Sequence, residues 1–180
     1  MSPRISGRQI ATWLGPRDRV GIGISAGLGL AAGVALQGWL AALPIALLCG
    51  VAAAIAVVDL RHHRIPDRLS LPLIPLGLIF SALTAPLWPR WIAMAGVWAA
   101  LTLLQYGFLR FRGKPGLGGG DLKLMTAAAA WLPTGLLPFY ILAASVTGLI
   151  EAVTLRSKPG AAIAFGAHLA PWLAIFVLFV

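Results

Sequence analysis

Acidic residues are scarce in this chain of 180: Asp18, Asp59, Asp67, Asp121 and Glu151 are all of them. Charged residues of both signs make up 11% of the sequence and hydrophobic ones 59%, whereas soluble domains carry about 25% charge. A separate soluble domain is therefore excluded, and the composition is that of a polytopic membrane protein. Cysteine is nearly absent. Cys49 stands alone, which excludes an intramolecular disulfide and a cysteine-based zinc site. Period-two alternation is also missing, so continuous apolar runs favour helices over a barrel.

What is present in excess is positive charge, a formal net +9. The basic residues are dispersed between apolar runs rather than clustered. That pattern fits anionic lipid headgroups at a bilayer surface and argues against nucleic acid as a partner. A helical span needs about 17–25 apolar residues. The runs 20–37, 40–59, 70–87, 91–109, 121–137, 139–155 and 161–180 meet that description, giving about seven spans, or six if Pro133 and Pro138 merge the crowded last three. The expected architecture is an all-α transmembrane bundle: a basic cytoplasmic N-terminus over 1–19 and a single membrane domain over 20–180. The apolar run from Val20 exceeds the h-region of a signal peptide, so it is expected to be a retained first span.

Loop charge orients the bundle. With the N-terminus inside, Arg4, Arg8, Arg17, Arg19, Arg61, Arg64, Arg68, Arg110, Arg112, Lys114, Lys123, Arg156 and Lys158 fall on the cytoplasmic side, and only Arg90 falls outside. This is the positive-inside bias of a plasma or inner membrane protein with its N-terminus in the cytoplasm. Trp39, Trp88, Trp91 and Trp131 fall near the expected outer ends, as interfacial anchors. In the first span, Gly23, Gly27, Gly29 and Gly33 include two GxxxG spacings, which serve close helix packing or a homodimer.

Against that background two aspartates stand out, because an ionisable group beside hydrocarbon is costly and marks a functional site by default. Asp59 closes the apolar run 51–58, and Pro66 then forces a turn by disfavouring helix at Ile65. Ser70 is placed to cap the next helix, with Pro72 in its first turn. The plainer alternative is a boundary aspartate paired with Arg61 or Arg64. Asp121 follows Gly118, Gly119 and Gly120. Three glycines free the backbone and let another chain approach closely, as an extended peptide would require; an ordinary helix N-cap is the alternative. The topology puts both aspartates on one membrane face.

Taken together, these residues resemble the type IV prepilin peptidases, of the GxGD class of intramembrane aspartic proteases. Gly118-Gly119-Gly120-Asp121 matches the GxGD signature and Leu122-Lys123-Leu124 its usual continuation. Asp59 with Ile65-Pro66 matches the first aspartate region, with Asp67 where the family often has Asn. Ala164-Phe165-Gly166 is similar to a C-terminal PFG-type element, with Ala in place of Pro. The resemblance runs from about Leu47 to Leu173. Longer members carry an N-terminal region with paired cysteines that is associated with N-methylation. The resemblance here is to the short form, found with Tad/Flp pili or as preflagellin peptidases, so methyltransferase activity is not expected.

The resemblance implies that Asp59 and Asp121 form a dyad that activates water against a peptide bond. Gly118, Gly119, Gly120, Lys123 and Pro66 then shape the turn that receives the substrate. The implied substrate is a prepilin-like protein with a short basic leader, cut at the membrane boundary without metal or cofactor. Helix ends suggest a division of labour. Asp121 begins a helix, where the dipole favours an anion, and Asp59 ends one, where it does not. Asp121 is therefore the expected base and Asp59 the acid. His62 and His63 are adjacent and lack a third ligand, so a basic loop is expected there rather than a metal site. His168 reads as a packing residue, Glu151 as a local partner of Arg156 or a residue facing the bundle interior, and Asp67 as a surface partner of Arg64 or Arg68. Two other function classes fit the composition. A small ion-coupled transporter would want its carboxylates near mid-bilayer, and a non-catalytic membrane subunit of a pilus or secretion system would need no carboxylates at all.

Overall fold

A computed structural model describes residues 7–83, 85–113, 116–154 and 163–180. Arg4, Lys114, Arg156 and Lys158, from the expected inner loops, lie outside the described residues. The architecture is all-α, with no strand among the described residues. In order, the helices are α1 (Gly7–Trp13), α2 (Pro16–Gln37), α3 (Trp39–His62), α4 (Asp67–Ser70), α5 (Leu73–Ala82), α6 (Trp88–Arg112), α7 (Gly119–Trp131), α8 (Leu137–Thr154) and α9 (Gly166–Leu178). A 3-10 turn, Thr134–Leu136, leads into α8.

Four of these segments are long and apolar enough to cross a membrane: Pro16–Gln37, Trp39–His62, Trp88–Arg112 and Thr134–Thr154. The chain is thus a multi-pass helical membrane protein. The other three expected spans are helical but shorter. α5 has 10 residues, and α7 and α9 have 13 each. At 1.5 Å per residue they reach about 15–20 Å, less than the hydrocarbon core of about 30 Å. Proline accounts for one of these early stops. Pro133 drives Leu132 into an extended conformation (φ −96°, ψ 143°), which ends α7.

The short helix α7 is the axis of the bundle. Leu122 and every residue from Leu124 to Trp131 are buried, packed chiefly against α5, α6 and α9. Long α2 and α6 lie at the periphery and expose most of their surface. Small residues set the α2–α3 contact. A side chain at Gly29 would meet Cys49 Sγ at 2.6 Å, and one at Gly33 would meet Ala42 Cα at 2.9 Å. One GxxxG pair is therefore used inside the chain, while Gly23 and Gly27 meet nothing within 4 Å.

Three expectations about boundary residues are corrected. Trp131 is not an interfacial anchor. It is fully buried, donates its indole N–H to the Leu73 carbonyl at 2.8 Å, and stacks on Phe80 at 5.3 Å. Gly77 leaves room for its ring, since a Cβ there would stand 2.5 Å from Trp131 Cδ1. Arg90, expected in an outer loop, is buried in the first turn of α6. Trp39, Trp88 and Trp91 are exposed, as anchors would be. Ser70 does not cap α5. It ends α4, where its hydroxyl lies 3.4 Å from the Pro66 carbonyl, and Pro72 is the N-cap of α5.

Candidate active site

Three helix ends converge on Asp59. The first is its own. α3 stops at His63, which takes a left-handed conformation (φ 49°) and donates its N–H to the Asp59 carbonyl at 2.8 Å. Asp59 therefore sits one turn inside the end of the helix, 4% exposed. The second end is the start of α9. The Ala167 backbone N–H donates to Asp59 Oδ2 at 3.0 Å, so this carboxylate serves as a cap for a helix more than a hundred residues away. The third is the start of α7, which carries Asp121. Ile65 links the two: it packs against Gly120, the residue before Asp121, and against Gly166, where an added Cβ would also stand 2.9 Å from Asp59 Oδ2. The structure thus brings both aspartates to one end of the bundle. Asp59 has neither expected partner: Arg61 reaches instead across to Asp18 with two bonds of 2.6 and 2.8 Å.

Asp121 is not the N-cap of α7 but its third residue, after the N-cap Gly118. Its carboxylate folds back over that cap, and a Cβ on Gly118 would lie 2.7 Å from Oδ2. The glycines have three different neighbours. Gly118 makes room for Asp121 itself. Gly120 makes room for Ile65, whose Cβ would be 2.8 Å from an added methyl. Only Gly119 faces open space, with nothing within 4 Å. The expected close approach is therefore made within the chain at two positions and remains available at one. The loop ahead of the turn is fixed by α6: Gln105 donates to the Leu117 carbonyl at 3.2 Å, and Gly116 lies against the Phe108 ring.

Lys123 and Asp67 form an ion pair of 2.6 Å. It joins the second turn of α7 to the first residue of α4, directly after Ile65-Pro66. Asp67 thus pairs with neither Arg64 nor Arg68. Pro66 is buried and is the N-cap of α4. Ile65, which the sequence reading used only as a motif letter, bridges the site. It touches Gly120 on one side and Gly166 on the other, where an added Cβ would meet Ile65 Cδ1 at 2.4 Å and Asp59 Oδ2 at 2.9 Å.

Behind α9, Glu151 Oε2 and His168 Nε2 meet at 2.5 Å. Trp172 donates to Thr147 Oγ1 at 3.2 Å one turn further along. These contacts clamp α8 to α9 and hold the amide that reaches Asp59. Glu151 and His168 were read separately from sequence, and no short-range signal could have paired them. His62 stacks on Trp13 at 4.1 Å.

The model of the type IV leader peptidase family matches residues 45–153 of the chain, which includes both aspartates and the glycine turn. Relatives named prepilin leader peptidase/N-methyltransferase include one from Dickeya chrysanthemi, 36% identical over 83% of this chain and 52% of its own length. One from Aeromonas salmonicida (strain A449) is 40% identical over 77% and 50%. One from Escherichia coli (strain K12) is 37% identical over 67% and 54%. The chain spans about half the length of the curated relatives it matches. No solved structure matches it.

Proposed function

The chain belongs to the type IV leader peptidase family, and on that footing we propose that it is a membrane aspartic endopeptidase. It removes the short basic leader of a prepilin-like substrate at the cytoplasmic face of the inner membrane, with its own N-terminus in the cytoplasm. The observation that carries this reading is the placement of both aspartates at one end of the bundle, with Ile65 packed between Gly120, beside Asp121, and the Asp59 carboxylate, and with a backbone N–H aimed at Asp59. The relatives' printed name joins two activities, and the acid pair supports the peptidase one.

A hydrolytic dyad needs one anion to take a proton from water and one acid to give a proton. Two adjacent carboxylates do not readily both ionise, so one proton is shared between them. We assign the resting anion to Asp59, since it accepts the Ala167 N–H and stands at the positive end of α9. This reverses the division expected from sequence, which counted only the two helices carrying the acids. Water loses a proton to Asp59 and its oxygen bonds to the scissile carbonyl carbon, while Asp121 donates to the carbonyl oxygen. Collapse breaks the C–N bond as a diol hydroxyl returns its proton to Asp121 and the proton on Asp59 passes to the leaving amine, which restores both acids to their starting states. Gly119 supplies the open backbone against which the extended segment lies. Gly118, Gly120, Lys123 and Pro66 hold the turn in place rather than contact substrate.

The test is cleavage of a prepilin-like protein, with a basic leader followed by an apolar helix, by purified protein in liposomes. Mass spectrometry should find one cut at the leader–helix boundary. Asp59→Asn and Asp121→Asn should each abolish it while membrane insertion is unchanged. Cleavage retained by either variant would sink the dyad. An ion-coupled transporter is not favoured, because both acids lie at helix ends rather than mid-helix.

A further inference from the structure

We propose that Ile65 is a specificity-determining residue, whose side chain sets how large a substrate residue can sit against Asp59 beside the scissile bond. The inference rests on the peptidase reading and extends it to a residue outside the acid pair. Its position follows from local chain constraints. α3 ends at His63, and Pro66 holds Ile65 out of the helical region, so the side chain is turned across the site rather than along α3. The Lys123–Asp67 ion pair ties the residue after Pro66 to α7, which keeps the segment in place.

The space around Ile65 is closely bounded. Its Cβ lies 2.8 Å from where a methyl on Gly120 would stand. Its Cγ1 and Cδ1 lie 2.7 and 2.4 Å from where a methyl on Gly166 would stand, and that same point is 2.9 Å from Asp59 Oδ2. Two glycines on two different helices thus lack side chains where Ile65 packs, and the far end of Ile65 fills the space beside the Asp59 carboxylate that a side chain on Gly166 would need. Asp59 is 4% exposed, so a peptide has little other room there. Gly119, open on the same turn, gives a backbone a way in. A shorter side chain at position 65 therefore opens room beside the carboxylate, and a bulkier one closes it further.

Size exclusion of this kind has a known scale. One methylene in an apolar pocket changes kcat/KM by about 10–200-fold. The experiment uses the full chain in liposomes and matched prepilin-like substrates carrying Gly, Ala or Val at the residue on either side of the cut. Wild type, Ile65→Val, Ile65→Ala and Ile65→Phe are compared by the ratio of kcat/KM between substrates. Because the ratio cancels the fraction of active protein, a partly misfolded variant still reports. Ile65→Val and Ile65→Ala should shift preference stepwise toward the larger residue, by about 10-fold or more for Ile65→Ala, and Ile65→Phe should shift it the other way. Ratios unmoved across the series, with only total activity falling, would overturn the role while leaving the dyad standing. A wild type that cleaves none of the substrates would overturn the peptidase reading and this inference with it.

Discussion

One added methyl group, Gly166→Ala, puts the assembled site under a defined load. The new Cβ would stand 2.4 Å from Ile65 Cδ1, 2.7 Å from Ile65 Cγ1 and 2.9 Å from Asp59 Oδ2. Ile65 Cδ1 ends a flexible side chain and can swing away. Cγ1 and the carboxylate have less freedom, because Pro66 fixes the backbone beside one and the Ala167 amide holds the other at 3.0 Å. Overpacking of this kind costs about 1–3 kcal/mol in stability. The larger consequence is positional, since a misplacement of about 1 Å at a reacting group costs about 100-fold in rate. We therefore expect Gly166→Ala to lower leader cleavage by about that factor, while the helical protein remains inserted and folded. Adding Ile65→Ala to it removes Cγ1 and Cδ1, the two Ile65 carbons in the clash, and should recover about tenfold, the lower bound for relieving one methylene's misfit. The assay is cleavage in liposomes, with thermal unfolding of each variant in parallel. Two results would refute the reasoning: wild-type cleavage by Gly166→Ala, or a double variant no better than the single one.

Two further outcomes follow from contacts away from the carboxylates. The Lys123–Asp67 pair is partly exposed on both sides, so breaking it with Lys123→Met should change stability by less than about 1 kcal/mol. Cleavage should fall all the same, because the Ile65–Pro66 turn loses its tie to α7, and the charge-reversed pair Lys123→Asp with Asp67→Lys should recover most of it; a reversed pair as poor as Lys123→Met alone would count against the tie. Trp131→Phe leaves the buried Leu73 carbonyl without its indole donor, a loss of about 1–3 kcal/mol. Thermal unfolding should register that loss while cleavage per folded molecule stays constant, and a selective loss of cleavage would show that Trp131 has a part in the site.

Much of the candidate site was legible because acids are so few. In a chain this apolar, Asp59 and Asp121 identify themselves, and Pro66 and the three glycines mark the turns beside them. The helical segments were legible for the same reason, since long apolar runs without alternation have few other folds open to them. Burial was not legible. Lipid tails are as apolar as a leucine core, so hydrophobicity alone cannot separate Trp131, which is inside the bundle, from Trp88, which is exposed. Helix length was not legible either: the runs of α5, α7 and α9 are helical over only 10, 13 and 13 residues. Partners were not legible either. Asp67 had Arg64 and Arg68 close in sequence and took Lys123, 56 residues on; Glu151 took His168. A charge in a membrane protein pairs with whatever the packing brings to it, and sequence distance carries little of that information.

The glycines make the same point with more consequence. A missing side chain says that something comes close, but not what comes. Read from sequence, the three glycines before Asp121 all invited a substrate. In the structure Gly118 yields to Asp121, Gly120 yields to Ile65, and only Gly119 is open. The chain thus fills most of its own clearance, and Gly166 on α9 repeats the pattern from the opposite side. This arrangement also bears on the proton. The helix-dipole argument for Asp121 as the anion was sound for α7 taken alone. Our assignment of the anion to Asp59 adds α9, whose first turn is brought to Asp59 by a contact 108 residues long in sequence. Where three helix ends meet, the charge on an acid is governed by the helices that point at it as much as by the one that carries it.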